Sequence, residues 1–191
     1  MSTPFEIFAT GAVDVYLAVT GTADPVINTS PPGAWIKVGV AGKDDYGEDG
    51  VRVTKSTENN EVYVNGLYGV RKVFRTREKL MVAFTLLDAT LEAYRDAWNQ
   101  AVVTVVAGPP AIKTIPILEN VATPTFRAML LRAPLSPYMA GGNLQWWIPL
   151  VYQTGSPESV YRKSDPVALA LEFTAVADTA SGFGKLSAQT A

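Results

Sequence analysis

A strand, a helix and a second strand follow one another in the hydrophobic pattern of residues 79–106. Apolar side chains alternate with polar or smaller ones through the first of these elements, which is the period of a half-buried strand. The alternating apolar residues are Leu80, Val82, Phe84 and Leu86. Residues 102–106 are rich in valine and return to extended chain. The pattern therefore predicts two strands separated by one helix.

The predicted helix covers residues 88–100, and either Asp88 or Thr90 can cap its first turn. Its apolar residues recur at spacings of three and four, so one stripe of the helix is hydrophobic. These residues are Leu91, Tyr94 and Trp98. No other segment has a convincing helical pattern, and a single amphipathic helix in a β-rich chain has to pack across a sheet.

Shorter alternating or β-branched runs predict the other strands. These runs are residues 12–20, 35–40, 51–54, 62–64, 71–87, 112–118, 125–132, 144–152 and 167–176. The longest of them is either one strand or two strands joined near Thr76. Residues 181–191 are small and polar, which predicts a loose C-terminal tail. No linker or repeat divides the chain, so residues 1–191 are predicted to form a single, mainly-β domain with one α-helix.

Residues 41–69 differ from the rest of the chain, because they are acidic and turn-rich at first and then polar throughout. So long a polar insertion is uncommon in a compact domain unless it has a function. One interpretation is a solvated hairpin. The other is an extended arm that becomes ordered against another molecule. We call residues 41–69 the predicted interaction loop.

Composition narrows the functional classes. The chain has 191 residues, no cysteine and no histidine, which removes disulfides, thiolate metal sites and the commonest general base at neutral pH. Charged residues make up 18% of the chain, against about 25% for an average soluble domain. A net charge of −2 gives no sign of a nucleic-acid binder. No apolar run approaches the ~20 residues of a membrane span, and we expect no secretion signal. We expect such a chain to bury much of its surface against partners.

Enzyme motifs are missing, so we expect no catalytic residue, no metal site and no cofactor. The Gly42-Lys43 pair lacks the spacing of a phosphate-binding loop. Residues 45–50 imitate the first half of a calcium loop, but Gly47 stands at a ligand position. Carboxylates such as Glu48 and Asp49 would serve a hydrolase only if two of them met across a cleft.

Two further patterns each have two interpretations. Basic residues occupy odd-numbered positions of a predicted strand, so they would share one of its faces. This basic stripe is either a solvated face or an interface. Its members are Arg71, Arg75, Arg77 and Lys79. The adjacent Trp146 and Trp147 would point to opposite faces of their strand, which leaves one of them as an interface anchor or a ligand-stacking platform.

The order of these segments resembles the major tail (tail tube) proteins of long-tailed bacteriophages over most of the chain. The resemblance is carried by structural segments, none of which is diagnostic alone. They are residues 11–18, 65–69, 75–78 and 80–94, with Phe183-Gly184-Lys185-Leu186 near the end.

The resemblance implies two packed β-sheets, sandwich- or barrel-like, that are flanked by a helix and contribute strands to an oligomeric β-barrel. It implies hexameric rings that stack head to tail into a tube, through which DNA passes without specific binding. The partners would be further copies of the chain, a tape measure protein and a tail terminator, with no membrane. The location would be the virion, after assembly in the bacterial cytoplasm. Contractile-tail and secretion-tube relatives remain open alternatives.

In this interpretation the assembly-interface candidates lie in the predicted interaction loop and the basic stripe. They are Asp44, Asp45, Glu48, Asp49, Val51, Val53, Glu58, Glu61, Val62, Tyr63, Arg71, Arg75, Arg77 and Lys79. We expect the acidic loop of one subunit to lie near the basic stripe of its neighbour. The alternative function is a β-sandwich binding module of the carbohydrate-binding type, with an outward tryptophan as its platform.

Overall fold

A computed structural model describes residues 12–63, 65, 68–88, 90–99, 103–117, 124–134, 136–159, 161, 163 and 166–190. It confirms a mainly-β fold with one α-helix and two sheets, which have eight and two strands and are not closed into a barrel. The strands are β1 Asp14–Val19, β2 Ile36–Lys37, β3 Arg52–Val62, β4 Lys72–Leu86, β5 Thr104–Val106, β6 Ile112–Thr114, β7 Arg127–Ala133, β8 Leu144–Gln153, β9 Leu169–Ala175 and β10 Lys185–Ala188.

All pairings between these strands are antiparallel. The large sheet has the order β2-β1-β7-β8-β9-β4-β3, and β10 adds to β8 beside this path. The second sheet is the exposed pair β5–β6, so the strand predicted after the helix does not return to the main sheet.

The helix α1, Leu91–Ala97, packs against the inner face of the large sheet. Thr90 caps it by accepting a hydrogen bond from the amide of Ala93 at 3.3 Å. Tyr94 and Ala97 of the helix belong to one hydrophobic cluster with residues of β1, β4, β7, β8 and β9. Because strands from both halves of the sheet order meet in this cluster, the sheet curves around it, and it forms the main core. Trp98 is partly buried against it, as predicted.

A second cluster lies on the outer face of β1, β7 and β8, under the loop of residues 20–35. Trp35 of this loop is buried there against Leu130. The buried Arg132 fastens the loop by donating hydrogen bonds to the carbonyl oxygens of Val26 and Thr29, and it also bonds Gln145. Burial lowers the pKa of the Arg132 guanidinium. The outer face over β1, β7 and β8 is therefore covered by the chain itself.

Two segments differ from their predictions. The two short strands 51–54 and 62–64 are one long strand, β3, because its polar middle is held by the ladder to β4 rather than by burial. The loose tail is corrected too, since β10 pairs with β8 within it. Gly184 makes this pairing possible: it has a φ of 125°, and a Cβ there would lie 2.1 Å from the carbonyl oxygen of Trp147.

Some residues of the predicted segments lie outside the described ones. They are residues 11, 64, 66, 67, 89, 100–102, 118 and 191. In the described part of the chain, no helix is long and apolar enough to cross a membrane.

Candidate functional site

The β3–β4 hairpin extends beyond the rest of the sheet. β4 pairs with β9 only over residues 81–86, whereas its ladder with β3 continues to Lys72. Among the described residues, residues 72–80 of β4 therefore have one strand partner, and β3 is the last strand in the sheet order. We name residues 56–63 and 68–79 the hairpin arm. Each of its edges presents unpaired backbone groups, which is the usual template for pairing with another strand.

A β-bulge in β4 divides the hairpin arm. Arg77 lies opposite Glu58. The next pair along the ladder is Arg75 with Asn59, so Thr76 is the extra residue. Thr76 Oγ1 donates a hydrogen bond to the carbonyl oxygen of Glu58 at 3.0 Å. Cross-strand partners share a face and neighbours on β3 point to opposite faces, so Arg75 and Arg77 lie on opposite faces of the arm.

The prediction of one basic stripe is therefore wrong. The prediction assumed that side chains alternate regularly between the two faces of the strand. The extra residue at Thr76 reverses this alternation between Arg75 and Arg77. Arg77 and Lys79 remain on one face, opposite Glu58 and Ser56. Arg71, the fourth member, is exposed just before β4 begins.

Several charges of the arm are paired within the subunit. Arg77 Nε lies 3.9 Å from the carboxylate of Glu58. On the other face, Glu78 accepts from Arg75 at 2.6 Å and lies 3.6 Å from Lys55. Exposed ion pairs of this kind stabilise a fold only slightly. They nevertheless show that the acidic and basic segments meet inside one hairpin.

The far end of the hairpin arm is apolar and exposed. Its large hydrophobic residues are Val62, Tyr63, Tyr68, Val70, Val73 and Phe74. Val73 and Phe74 are 53% and 46% exposed and, as neighbours in β4, occupy opposite faces. The Tyr63 hydroxyl donates to Glu61 at 2.6 Å, a hydrogen bond that raises the pKa of Tyr63. Sequence reasoning chose Val62 and Tyr63 but missed the other four, although the Val73-Phe74 pair inside a basic segment is a visible signal.

The other acidic candidates lie away from the hairpin arm. Asp45 accepts a hydrogen bond from the amide of Ala41 at 2.5 Å, and Asp44 pairs with the preceding lysine. Both residues belong to a 3₁₀ helix, Gly42–Asp45. Glu48 and Asp49 are exposed in the turn that follows.

Tyr46 holds the first part of the predicted interaction loop against the core. Its hydroxyl donates to the carbonyl oxygen of Val38 at 2.9 Å and accepts from the amide of Val15 at 3.2 Å. Burial raises the pKa of this phenol. Val51 and Val53 are also partly buried against the core. The prediction that residues 41–69 form one extended loop is therefore corrected: only the part within the hairpin arm projects.

The two adjacent tryptophans do point to opposite faces, but neither is an exposed platform. Trp146 packs partly buried against the main core. Trp147 packs against the outer cluster, and its Nε1 donates to the carbonyl oxygen of Thr22 at 3.4 Å. The loop of residues 20–35 thus occupies the surface that a ligand would need.

Acidic residues do not gather into a metal site in the part of the chain that the structure describes, where no group of three or more could hold an ion. Neither protein-family models nor curated protein sequences match the chain.

Proposed function

We propose that this chain is a structural virion protein, the tail tube subunit of a long-tailed bacteriophage. Six copies would form a ring, and rings would stack into the tube that conducts DNA. The sequence resemblance supports this proposal, and one structural observation carries it. The hairpin arm reaches beyond the core with an exposed apolar end and unpaired strand edges.

A two-stranded ribbon with exposed hydrophobic residues needs a partner. Isolated hairpins are at best marginally stable in water, and three or more strands with a buried face are needed for independent stability. An exposed apolar patch of this kind marks an interaction surface or an aggregation hazard. A further copy of the same chain removes the hazard, since it can cover the apolar end and pair with a free edge.

The proposal implies a heterologous contact, in which the arm of one subunit docks on a different surface of the next. Heterologous contacts form rings when the rotation closes and filaments when it does not. A stack of rings uses both kinds of contact.

Negative-stain electron microscopy of the purified protein tests the proposal. We expect rings or hollow tubes whose abundance rises with protein concentration. A protein that stays monomeric at every concentration would contradict it. A stable monomer that binds glycans would support the binding-module alternative, which the buried faces of Trp146 and Trp147 do not favour.

A trimmed variant isolates the hairpin arm. Residues 58–77 are replaced by Asn-Gly, a favoured two-residue hairpin turn, between Thr57 and Glu78, which pair in the intact ladder. The variant keeps the core and the base of the hairpin, so circular dichroism and urea unfolding should report a folded subunit. We expect it to form neither tubes nor stacked rings. Normal tubes from this variant would show that the arm is only a solvated hairpin.

A further inference from the structure

The curved sheet leaves an open seam between two groups of its strands. On one side lie β3 and β4, and on the other lie β7, β8 and β10. Two clefts of about 180 and 160 Å³ follow this seam and share Trp146 as a wall. We call the two clefts together the seam groove. Its apolar lining includes Val13, Val51, Val53, Trp146, Phe183 and Leu186.

The main core is incompletely covered at the seam groove. Of the seven described residues that are only partly buried against this core, five line the groove. Leu186, which lies opposite Trp146 in the ladder, is 51% exposed. A tryptophan N–H usually finds a hydrogen-bond acceptor when it is buried, and among the described residues the indole of Trp146 has none. The groove therefore offers apolar surface and a donor to a further segment of chain.

The segment that precedes β1 has a suitable composition and position. Residues 5–8 read Phe-Glu-Ile-Phe, which is three large apolar side chains and one carboxylate. Val13, just before β1, lines the first cleft together with Trp146. Extended chain covers ~3.3 Å per residue, so the chain from Phe8 to Val13 spans up to ~17 Å. This length allows residues 5–8 to reach the second cleft, on the far side of Trp146.

Charge in the seam groove favours the same occupant. The charged residues that line it are both lysines, Lys55 and Lys185. Lys185 pairs with Asp24 at 2.9 Å. Lys55 Nζ lies 3.6 Å from Glu78, which is too far for a direct hydrogen bond. Lys55 is therefore a loosely paired cation, and Glu6 is a suitable partner for it.

We propose that residues 5–8 dock in the seam groove of their own subunit. In this arrangement the apolar side chains cover Trp146 and Phe183, and Glu6 lies near Lys55. A short tether gives the segment an effective concentration of millimolar order, so weak contacts are sufficient to hold it. The proposal concerns the free subunit and does not depend on the proposed function, because it holds whether or not the protein forms tubes.

Disulfide trapping tests this docking in the whole chain, which contains no cysteine of its own. Leu186→Cys is combined with Ile7→Cys or with Phe8→Cys. The matched control combines the same two substitutions with Ile36→Cys, since Ile36 is 62% exposed on β2 and does not line the groove. In dilute oxidised protein, we expect at least one Leu186→Cys pair to close on the order of ten times faster than its control.

The product distinguishes the outcomes of this trapping. A disulfide within one chain supports the proposal, and non-reducing electrophoresis identifies it as a monomer. Equal rates for the test and control pairs would overturn the proposal. A disulfide that joins two chains would also overturn it, because the segment would then dock on a neighbour.

A peptide competition gives a second test. The variant without residues 2–10 should bind a synthetic peptide of residues 2–11, with a change in tryptophan fluorescence. A peptide with serine in place of Phe5, Ile7 and Phe8 should not bind. The intact protein should bind the first peptide at least about tenfold more weakly, because its own segment competes at a high effective concentration. Equal binding by the two proteins, or no binding by a folded shortened variant, would overturn the proposal. If the shortened variant does not fold, the trapping experiment decides.

Discussion

Replacing Phe74 by serine should weaken assembly without unfolding the subunit. Phe74 is 46% exposed in the hairpin arm, with Lys72 Nζ 4.6 Å from the ring centroid. A phenylalanine side chain buries roughly 200 Å² when fully covered, so about 90 Å² remains for a partner to cover. At about 25 cal/mol per Å², this area contributes ~2 kcal/mol to each contact. The critical concentration for tube growth should then rise about 30-fold.

Sedimentation of tubes across a concentration series measures this critical concentration. The stability of the free subunit, measured by urea unfolding, should change by less than about 0.5 kcal/mol, because the side chain is not in the core. Val26→Ser is the matched control: Val26 is 65% exposed but lies in the loop of residues 20–35. We expect the control to assemble normally. An unchanged critical concentration for Phe74→Ser would refute the assignment of the apolar end as the interface.

Three further substitutions test the packing of the core and of the loop of residues 20–35. Burial raises the pKa of Tyr46 above its ordinary value of 10.0, so its contribution to stability is present below about pH 10 and is lost as pH rises further. In urea unfolding, Tyr46→Phe should therefore lose less stability at alkaline pH than the parent protein. Equal losses would contradict this. Trp98→Ala should cost about 3 kcal/mol in urea unfolding, because Trp98 packs on the core and on Tyr94; a cost near zero would contradict the helix packing. Arg132→Leu leaves the carbonyl groups of its loop without their donor, so we expect a loss of roughly 2–4 kcal/mol and faster proteolysis within residues 20–35; an unchanged cleavage rate would contradict the tether.

The sequence predicted those elements whose burial is periodic. In β4 the alternation from Leu80 to Leu86 matches the buried positions, because one face of the strand meets the core and the other does not. The helix cap was predicted as Asp88 or Thr90, and both take part. Thr90 accepts from the first turn, and Asp88 accepts from the amide of Thr90 at 3.1 Å. Local pattern and tertiary packing agree at these residues.

Elements that depend on backbone pairing rather than on buried side chains show no periodic pattern of hydrophobic residues in the sequence. The polar part of β3 is exposed on both faces and exists because its backbone pairs with β4, so no period of two appears in its hydrophobicity. β10 depends on Gly184, whose close approach to the backbone of Trp147 becomes visible only when the two segments are brought together. The bulge at Thr76 is likewise a property of the ladder, which needs both strands.

Ion pairs within the hairpin arm also bear on the proposed assembly. The acidic and basic segments were expected to meet between neighbouring subunits, yet Glu58 lies opposite Arg77 and Glu78 binds Arg75 within one hairpin. A carboxylate that already has a partner gains little from exchanging it for an equivalent one in water, because both states are similarly solvated. Charge pairing therefore sets the shape of the arm rather than the strength of its contact. The free subunit leaves its apolar end, which includes Phe74, exposed to solvent. Burial of this end is therefore the main favourable contribution to the free energy of the proposed assembly.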